Sequence, residues 1–172
     1  MKKLYLFNPE NDMALASGSP YYMPPASAKK MANDLAVLPA WYADAGSEIL
    51  VGDSRQVDWL RDGCRLSLPV TGVLSVSDEY EEIIPWGWSP ALKHRLGMDM
   101  VRGVDVETLR GLSSRMTAVN LLPKLRIEGT IGESSWLTSL ENVSAFSLKH
   151  GRVLLKAPWS GSGKGIQPLC GL

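Results

Sequence analysis

Cysteine is scarce in this chain of 172 residues, which contains only Cys64 and Cys170. The two lie far apart in the sequence, and neither belongs to a CxxC pair. A disulfide framework and a thiolate zinc site both need more cysteines at closer spacing. The sequence therefore predicts a protein of a reducing compartment, which we take to be the cytoplasm.

The chain also lacks an excess of charge of either sign. It has 18 basic and 18 acidic side chains and no cluster of lysine and arginine. Binding to nucleic acid or to an anionic membrane surface would need such a cluster. We therefore expect neither as a partner and instead expect a small-molecule ligand.

Long apolar runs are missing as well. After Lys2 and Lys3 only the four residues Leu4 to Phe7 are apolar, which is too short for the core of a secretory signal. The longest later run, Leu35 to Ala43, is interrupted by Pro39 and is far below the roughly 20 residues of a membrane span. The sequence thus predicts a protein without a membrane segment.

The first hundred residues alternate between strand and helix patterns. Strands are predicted at Leu4 to Phe7, Glu48 to Gly52 and Ile83 to Trp86, and Pro or Gly punctuates their ends. A helix capped by Ser27, with Pro39 kinking or splitting it, and short helices after Asp53 and Ser89 lie between or beyond them. This alternation is typical of an α/β fold with a parallel sheet.

The segment from Asn8 to Pro25 is predicted to be a long loop, because Gly18, Pro20, Pro24 and Pro25 punctuate it. It follows the carboxyl end of the first strand, where open α/β sheets bind ligands. Two interpretations are equally open for its polar start: a substrate loop, or local turn and capping chemistry. Nearby Tyr21 to Met23 could line an acceptor pocket, although a packed anchor of the loop is favoured. The candidate substrate-binding residues are Asn8, Glu10, Asn11 and Asp12.

The last third contains two predicted helices, capped by Ser114 and Ser139, with an irregular or extended stretch at 127–137 between them. A strand, Arg152 to Ala157, then leads into a loop from Pro158 to Gly165. Alternating glycines in this loop allow a backbone to approach an anion closely, and lysines flank it. It does not fit the Walker A pattern, since Pro158 and Gly165 stand where glycine and Ser or Thr are required. An ordinary solvated hairpin turn is the alternative.

The run from Leu154 to Gly165 resembles the lysine strand and glycine-rich loop of the ATP-grasp superfamily, and the helices before it lie at similar spacing. The resemblance implies a Rossmann-like parallel-sheet domain over 1–104. It implies a partial ATP-grasp subdomain, a small α+β unit with the glycine-rich loop, over 105–172. Arg115 stands where the family more often has lysine.

The same resemblance implies which residues bind nucleotide. Lys156 would contact ATP near its α-phosphate and base, Arg115 would be a second cation, and the glycine loop would cover the outer phosphates. The cofactors would be ATP and Mg²⁺, with the metal ligands beyond Leu172. The chain would be the N-terminal part of a ligase that activates a carboxylate as an acyl phosphate for attack by an amine, inactive as a fragment. The implied loop residues are Ser160, Gly161, Ser162, Gly163, Lys164 and Gly165.

Two other functions stay open. One is a non-catalytic α/β binding or interaction module in which the loop is only a turn. The other is a nucleotide-sugar-binding Rossmann domain with its site in the segment from Asn8 to Asp12. No catalytic residue is assigned, and His94 and His150 lack the neighbours that a metal site would need.

Overall fold

A computed structural model of the chain describes residues 2–63, 68–97, 105–125, 128–129, 131–159 and 165–170. It divides into two compact units, unit 1 from Met1 to Val106 and unit 2 from Glu107 to Leu172. No helix in the described ranges has both the length and the apolar character needed to cross a bilayer. Each unit is described separately below.

Unit 1 is built on a four-stranded, fully parallel sheet with the order β3-β2-β1-β4. Strand β1 lies in the middle, with Tyr5 beside Ile49 on one side and Ile84 on the other. The predicted α/β class is confirmed. The strands are β1 (Lys3–Leu6), β2 (Glu48–Leu50), β3 (Thr71–Val73) and β4 (Glu82–Pro85).

Both faces of this sheet are covered, as expected for parallel strands. Successive side chains of a strand point to opposite faces. Tyr5 packs with Ile49 in one buried cluster, whereas Leu4 and Leu6 pack with Ile83 and Leu92 in another. The apolar run of β1 thus supplies both layers of the core.

The helices of unit 1 connect and follow these strands. Asp53 and Ser89 cap their helices as predicted, since each side chain accepts a hydrogen bond from the backbone three residues on. Leu38–Trp41 is a 3₁₀ helix separate from α2, so Pro39 does split the predicted helix. The helices are α1 (Asn11–Ser17), α2 (Ala26–Asp34), α3 (Ser54–Asp58), which continues as a π-helical turn (Trp59–Gly63), and α4 (Pro90–Leu96).

Two expectations for this region were wrong. The segment predicted to be one loop contains α1, which buries Ala14 and Leu15 and ends at Gly18 with a left-handed backbone conformation. Helix α2 begins one residue before Ser27, with Pro25 as its N-terminal flanking residue. Proline has no side-chain acceptor, so α2 begins without the side-chain cap that Ser27 was predicted to provide, and the Pro25 carbonyl accepts the first helical hydrogen bond from Ala28 at 3.0 Å.

Unit 2 contains three helices and a β-hairpin in its described part. Ser114 and Ser139 accept hydrogen bonds from the backbone of Met116 and Asn142, which confirms both predicted caps. Helix α5 starts at the boundary between the units. Between α6 and α7, the described residues 131–138 form no strand. The elements are α5 (Val106–Ser113), α6 (Arg115–Leu121), α7 (Leu140–His150), β5 (Arg152–Lys156) and β6 (Ile166–Cys170), the two strands being antiparallel.

Candidate functional site

The carboxyl ends of the neighbouring strands β1 and β4 are joined by Asn8. Its side chain is 2% exposed and forms two hydrogen bonds with Gly87. Asn8 Nδ2 donates to the Gly87 carbonyl at 2.8 Å, and the Gly87 amide donates to Asn8 Oδ1 at 3.2 Å. Asn8 therefore acts as a brace between the segments that leave the two strands.

A second buried amide reaches the same segment from α1. With its nitrogen turned towards the carbonyls, Asn11 donates to Gly87 at 2.9 Å and to Trp88 at 3.0 Å. A Cβ atom on Gly87 would stand 2.2 Å from the nearer terminal atom of this amide group. Glycine is thus required at position 87 by the close approach of Asn11. Of the predicted substrate residues, Asn8 and Asn11 hold the framework of this sheet edge.

Beside this brace, a cavity of about 720 Å³ opens at the carboxyl edge of the sheet in unit 1. Its wall includes Leu6 and Phe7 from the end of β1, Val51 and Gly52 after β2, and Ser89 after β4. Ligand sites of open α/β sheets lie at this edge, at the point where the strand order reverses. In the order β3-β2-β1-β4 that point lies between β1 and β4. The volume lies within the range of small-molecule sites.

Glu10 is the acidic residue that lines this cavity. Its Oε2 atom is buried and accepts no hydrogen bond from the described residues. Asp12, two residues on, is exposed and does not line the cavity. The structure therefore brings Glu10 to the cavity, Asn8 and Asn11 to the brace beside it, and Asp12 to neither.

Three basic side chains, which the sequence did not single out as site residues, also line the cavity: Lys29 from α2, and His94 and Arg95 from α4. All three are exposed. Lys29 and Arg95 make no ion pair within the described ranges. Only the position of α2 and α4 at the carboxyl edge could have indicated them, because neither helix carries a recognisable motif.

The aromatic segment after α1 forms part of the cavity wall. Tyr21 is 74% exposed, lines the cavity and packs against the His94 ring in a T-shaped arrangement, with the ring centroids 4.8 Å apart. Tyr22 and Met23 line it too, and Met23 is also exposed. The favoured interpretation of this segment as a packed anchor is therefore wrong for Tyr21 and Met23, which are exposed, whereas Tyr22 is half-buried.

In unit 2, Arg115 and the end of β5 are brought together. The Arg115 guanidinium donates to the carbonyl of Ala157, the residue directly after Lys156, and its backbone amide donates to the Pro158 carbonyl at 3.0 Å. Lys156 itself is exposed, on the same face of the strand as Arg152. The two predicted cations thus lie at the start of the glycine loop.

The ends of that loop are described, whereas Ser160, Gly161, Ser162, Gly163 and Lys164 lie outside the described residues. Ala157 donates to the carbonyl of Gly165 at 2.9 Å, which closes the loop across the hairpin. Gly165 has a φ of 68°, a conformation that favours glycine. On the entry side, the Arg110 guanidinium lies 4.9 Å from the ring centre of Trp159.

Side chains that could hold a metal ion do not cluster in the described part of the chain. No group of three or more His, Cys, Asp or Glu residues comes together there. His150, for example, lies against Phe146 and, among the residues that the structure describes, is paired with Glu133 alone, at 3.2 Å.

Comparisons with protein-family models, with curated proteins and with solved structures gave no match to the chain.

Proposed function

We propose that unit 2 binds ATP as the nucleotide-binding part of an ATP-grasp ligase, one that activates a carboxylate as an acyl phosphate and passes it to an amine. Unit 1 would then be the Rossmann-like domain that precedes this part. The observation that supports the proposal is the hairpin: β5 ends in Lys156, the glycine-rich loop follows, and Arg115 contacts the residue between them.

The chemistry of phosphate binding suits these residues. A lysine at the end of a paired strand is a placed point charge, because the hairpin fixes its backbone. Arg115 adds a guanidinium whose position is fixed by the Ala157 carbonyl. Phosphoryl transfer depends mainly on such positioning and on the neutralisation of charge.

The described residues do not offer a site for the Mg²⁺ that such a ligase uses, because no three metal-binding side chains cluster there. We therefore assign Lys156 and Arg115 a role in holding the phosphates only.

The proposal is tested by measuring MgATP binding to the 172-residue chain by calorimetry, with Lys156→Ala beside the matched control Arg152→Ala. Both side chains are exposed on one face of β5, four residues apart, so both variants remove one cation from the same hairpin. We expect about a tenfold or greater loss of affinity in Lys156→Ala, as for a charge-assisted hydrogen bond, and little change in Arg152→Ala. Equal losses, or no ATP binding by the chain, would contradict the proposal.

A second candidate is favoured by the cavity of unit 1. Its position at the carboxyl edge and its volume of about 720 Å³ suit a small-molecule binding module, and a nucleotide sugar is one ligand of that size. Calorimetry with UDP-glucose tests this function. Binding that persists in Lys156→Ala and is lost when Ala32, a half-buried residue of the cavity wall on α2, is enlarged to Leu would support it.

A further inference from the structure

The Glu10 carboxylate, which lines the cavity of unit 1, has an oxygen atom without a hydrogen-bond donor among the described residues. Glu10 Oε2 is excluded from solvent, and no described residue donates a hydrogen bond to it. A buried acceptor without a donor is costly, and a charged one more so. Glu10 also lines the cavity, and a molecule there that presents N–H donors to its carboxylate would compensate its charge. A ligand ammonium group is the strongest such donor, because its hydrogen bond to a carboxylate is charge-assisted.

The rest of the cavity interior is largely apolar. Leu6, Ala14, Ala36, Val51 and Leu92 line it, together with the ring of Phe7. Side chains of this kind bind a hydrocarbon or aromatic body through burial of apolar surface. A small inorganic cation would leave this surface uncovered, so an organic amine fits the cavity better.

Two cations are part of the same wall. Lys29 and Arg95 are exposed and make no ion pair within the described ranges. They come from different helices, and both repel a simple amine. A ligand that also carries an anionic group would turn this repulsion into attraction. The charges of the cavity therefore complement a molecule with both an ammonium and a carboxylate.

We propose that the cavity of unit 1 binds an amino acid with an apolar side chain. Its ammonium donates to Glu10, its side chain lies against the apolar wall, and its carboxylate is directed towards Lys29 and Arg95. The proposal does not depend on ATP binding by unit 2.

Three probes of nearly the same shape separate the contribution of the ammonium group from that of the carboxylate. They are L-phenylalanine, 2-phenylethylamine, which lacks the carboxylate, and 3-phenylpropionate, which lacks the ammonium. Binding to the 172-residue chain is followed by ligand-observed NMR and calorimetry. For ligands of this size we expect dissociation constants of about a millimolar. Phenylalanine should bind most tightly, phenylethylamine more weakly, and phenylpropionate not detectably.

Two variants of the same segment test the acidic contact. Glu10→Gln keeps the shape of the side chain and removes its charge, whereas Asp12→Asn makes the equivalent change at an exposed position outside the cavity. We expect Glu10→Gln to weaken phenylalanine and phenylethylamine about tenfold or more. Asp12→Asn should leave both unchanged.

Arg95→Gln tests the other end of the ligand, and it remains informative should Glu10→Gln fold poorly. We expect it to weaken phenylalanine about two- to fivefold, as for an exposed ion pair, and not to weaken phenylethylamine. Three results would each overturn the proposal: phenylpropionate binding as tightly as phenylalanine, unchanged amine affinity in Glu10→Gln, or no probe binding at 10 mM, about tenfold above the expected dissociation constant. Because Lys156→Ala lies in the other unit, a loss of ATP binding there would not affect these outcomes.

Discussion

At the scale of single residues, the candidate site of unit 1 depends on side chains that hold backbone in place. Asn8 and Asn11 are buried and direct their amides at the backbone of Gly87 and Trp88. Each bond crosses from the segment after β1 to the segment after β4, so the relative position of the two strand ends is fixed. Glu10 lies between the two asparagines in the sequence, and its position at the cavity follows from theirs.

Gly87→Ala tests this brace. The added methyl group would stand 2.2 Å from the Asn11 amide group, so Asn11 must move and lose its hydrogen bonds to the Gly87 and Trp88 carbonyls. We expect the free energy of unfolding of unit 1 to fall by about 2–3 kcal/mol, measured by urea denaturation. Gly111→Ala, in helix α5 of unit 2, is the control for the glycine-to-alanine change itself: nothing lies within 4 Å of its added Cβ and alanine favours a helix, so we expect no loss of stability in either unit. A Gly87→Ala protein as stable as the wild type would contradict the predicted clash.

Tyr80 and Glu48 form a second polar contact of unit 1, at the opposite end of the sheet's central strands. The Tyr80 hydroxyl donates to the Glu48 carboxylate. Burial, together with this bond, raises the pKa of Tyr80 to about 12. An unfolded chain releases the same proton near pH 10. The contribution of Tyr80 to stability is therefore complete below about pH 10 and is lost as the pH rises towards 12.

We accordingly expect the free energy of unfolding to decrease between pH 10 and 11.5 more steeply in the wild type than in Tyr80→Phe, which has no hydroxyl to titrate. Urea denaturation at a series of pH values measures both slopes. In Glu48→Gln, which keeps an acceptor and removes the charge, absorbance at 295 nm should show the pKa of Tyr80 moved towards its ordinary value. Identical slopes for wild type and Tyr80→Phe would contradict this assignment.

At the scale of elements, the sequence predicted the features that depend on contacts between residues close together in the chain, such as helix caps and buried strands. Asp53, Ser89, Ser114 and Ser139 all cap helices, because a side-chain acceptor two or three residues before a free amide is a contact within one turn. The apolar runs of β1 and β2 likewise predicted buried strands. Neither conclusion needed the rest of the fold.

Elements defined by distant contacts were not predictable in this way. Helix α1 has only seven residues, and the prolines and glycine after it dominate the pattern of its segment. Its helical state depends on Ala14 and Leu15 being buried and on Asn11 reaching Gly87, a residue 76 positions away. The cavity could not be predicted from the sequence for the same reason, because its charged residues Glu10, Lys29 and Arg95 come from three separate segments.

The cap of α7 provides a prediction at this scale. Ser139 Oγ accepts from the Asn142 amide at 3.2 Å, and Glu141 in the first turn and Lys149 in the last suit the helix dipole. Ser139→Ala removes the acceptor and should lower the stability of unit 2 by about 1 kcal/mol, whereas Ser139→Gly should cost only a few tenths. Urea denaturation followed by ellipticity at 222 nm measures the difference. Equal stability of the alanine and serine proteins would show that the bond does not contribute.

At the scale of the whole molecule, burial is divided unequally between the units. The buried apolar side chains of the described residues all belong to unit 1, where they cover both faces of the sheet. In the described part of unit 2 the buried side chains are Ser114 and Ser147, while Ile131 is fully exposed and Leu140 is 88% exposed. Burial of apolar surface is the main source of folding stability. We therefore expect a smaller free energy of unfolding for unit 2 than for unit 1.

We therefore predict that unit 2 unfolds before unit 1. Hydrogen exchange at increasing urea concentrations, read by mass spectrometry, should show the amides of α7, β5 and β6 exchanging through an opening of lower free energy than those of β1, β2 and β4. A ligand that binds only the folded form stabilises the unit that holds it. MgATP should thus slow exchange in β5 and β6 of the wild type but not of Lys156→Ala, and L-phenylalanine should slow it around α1 and α4. A single transition that exposes both units together would contradict this order of unfolding.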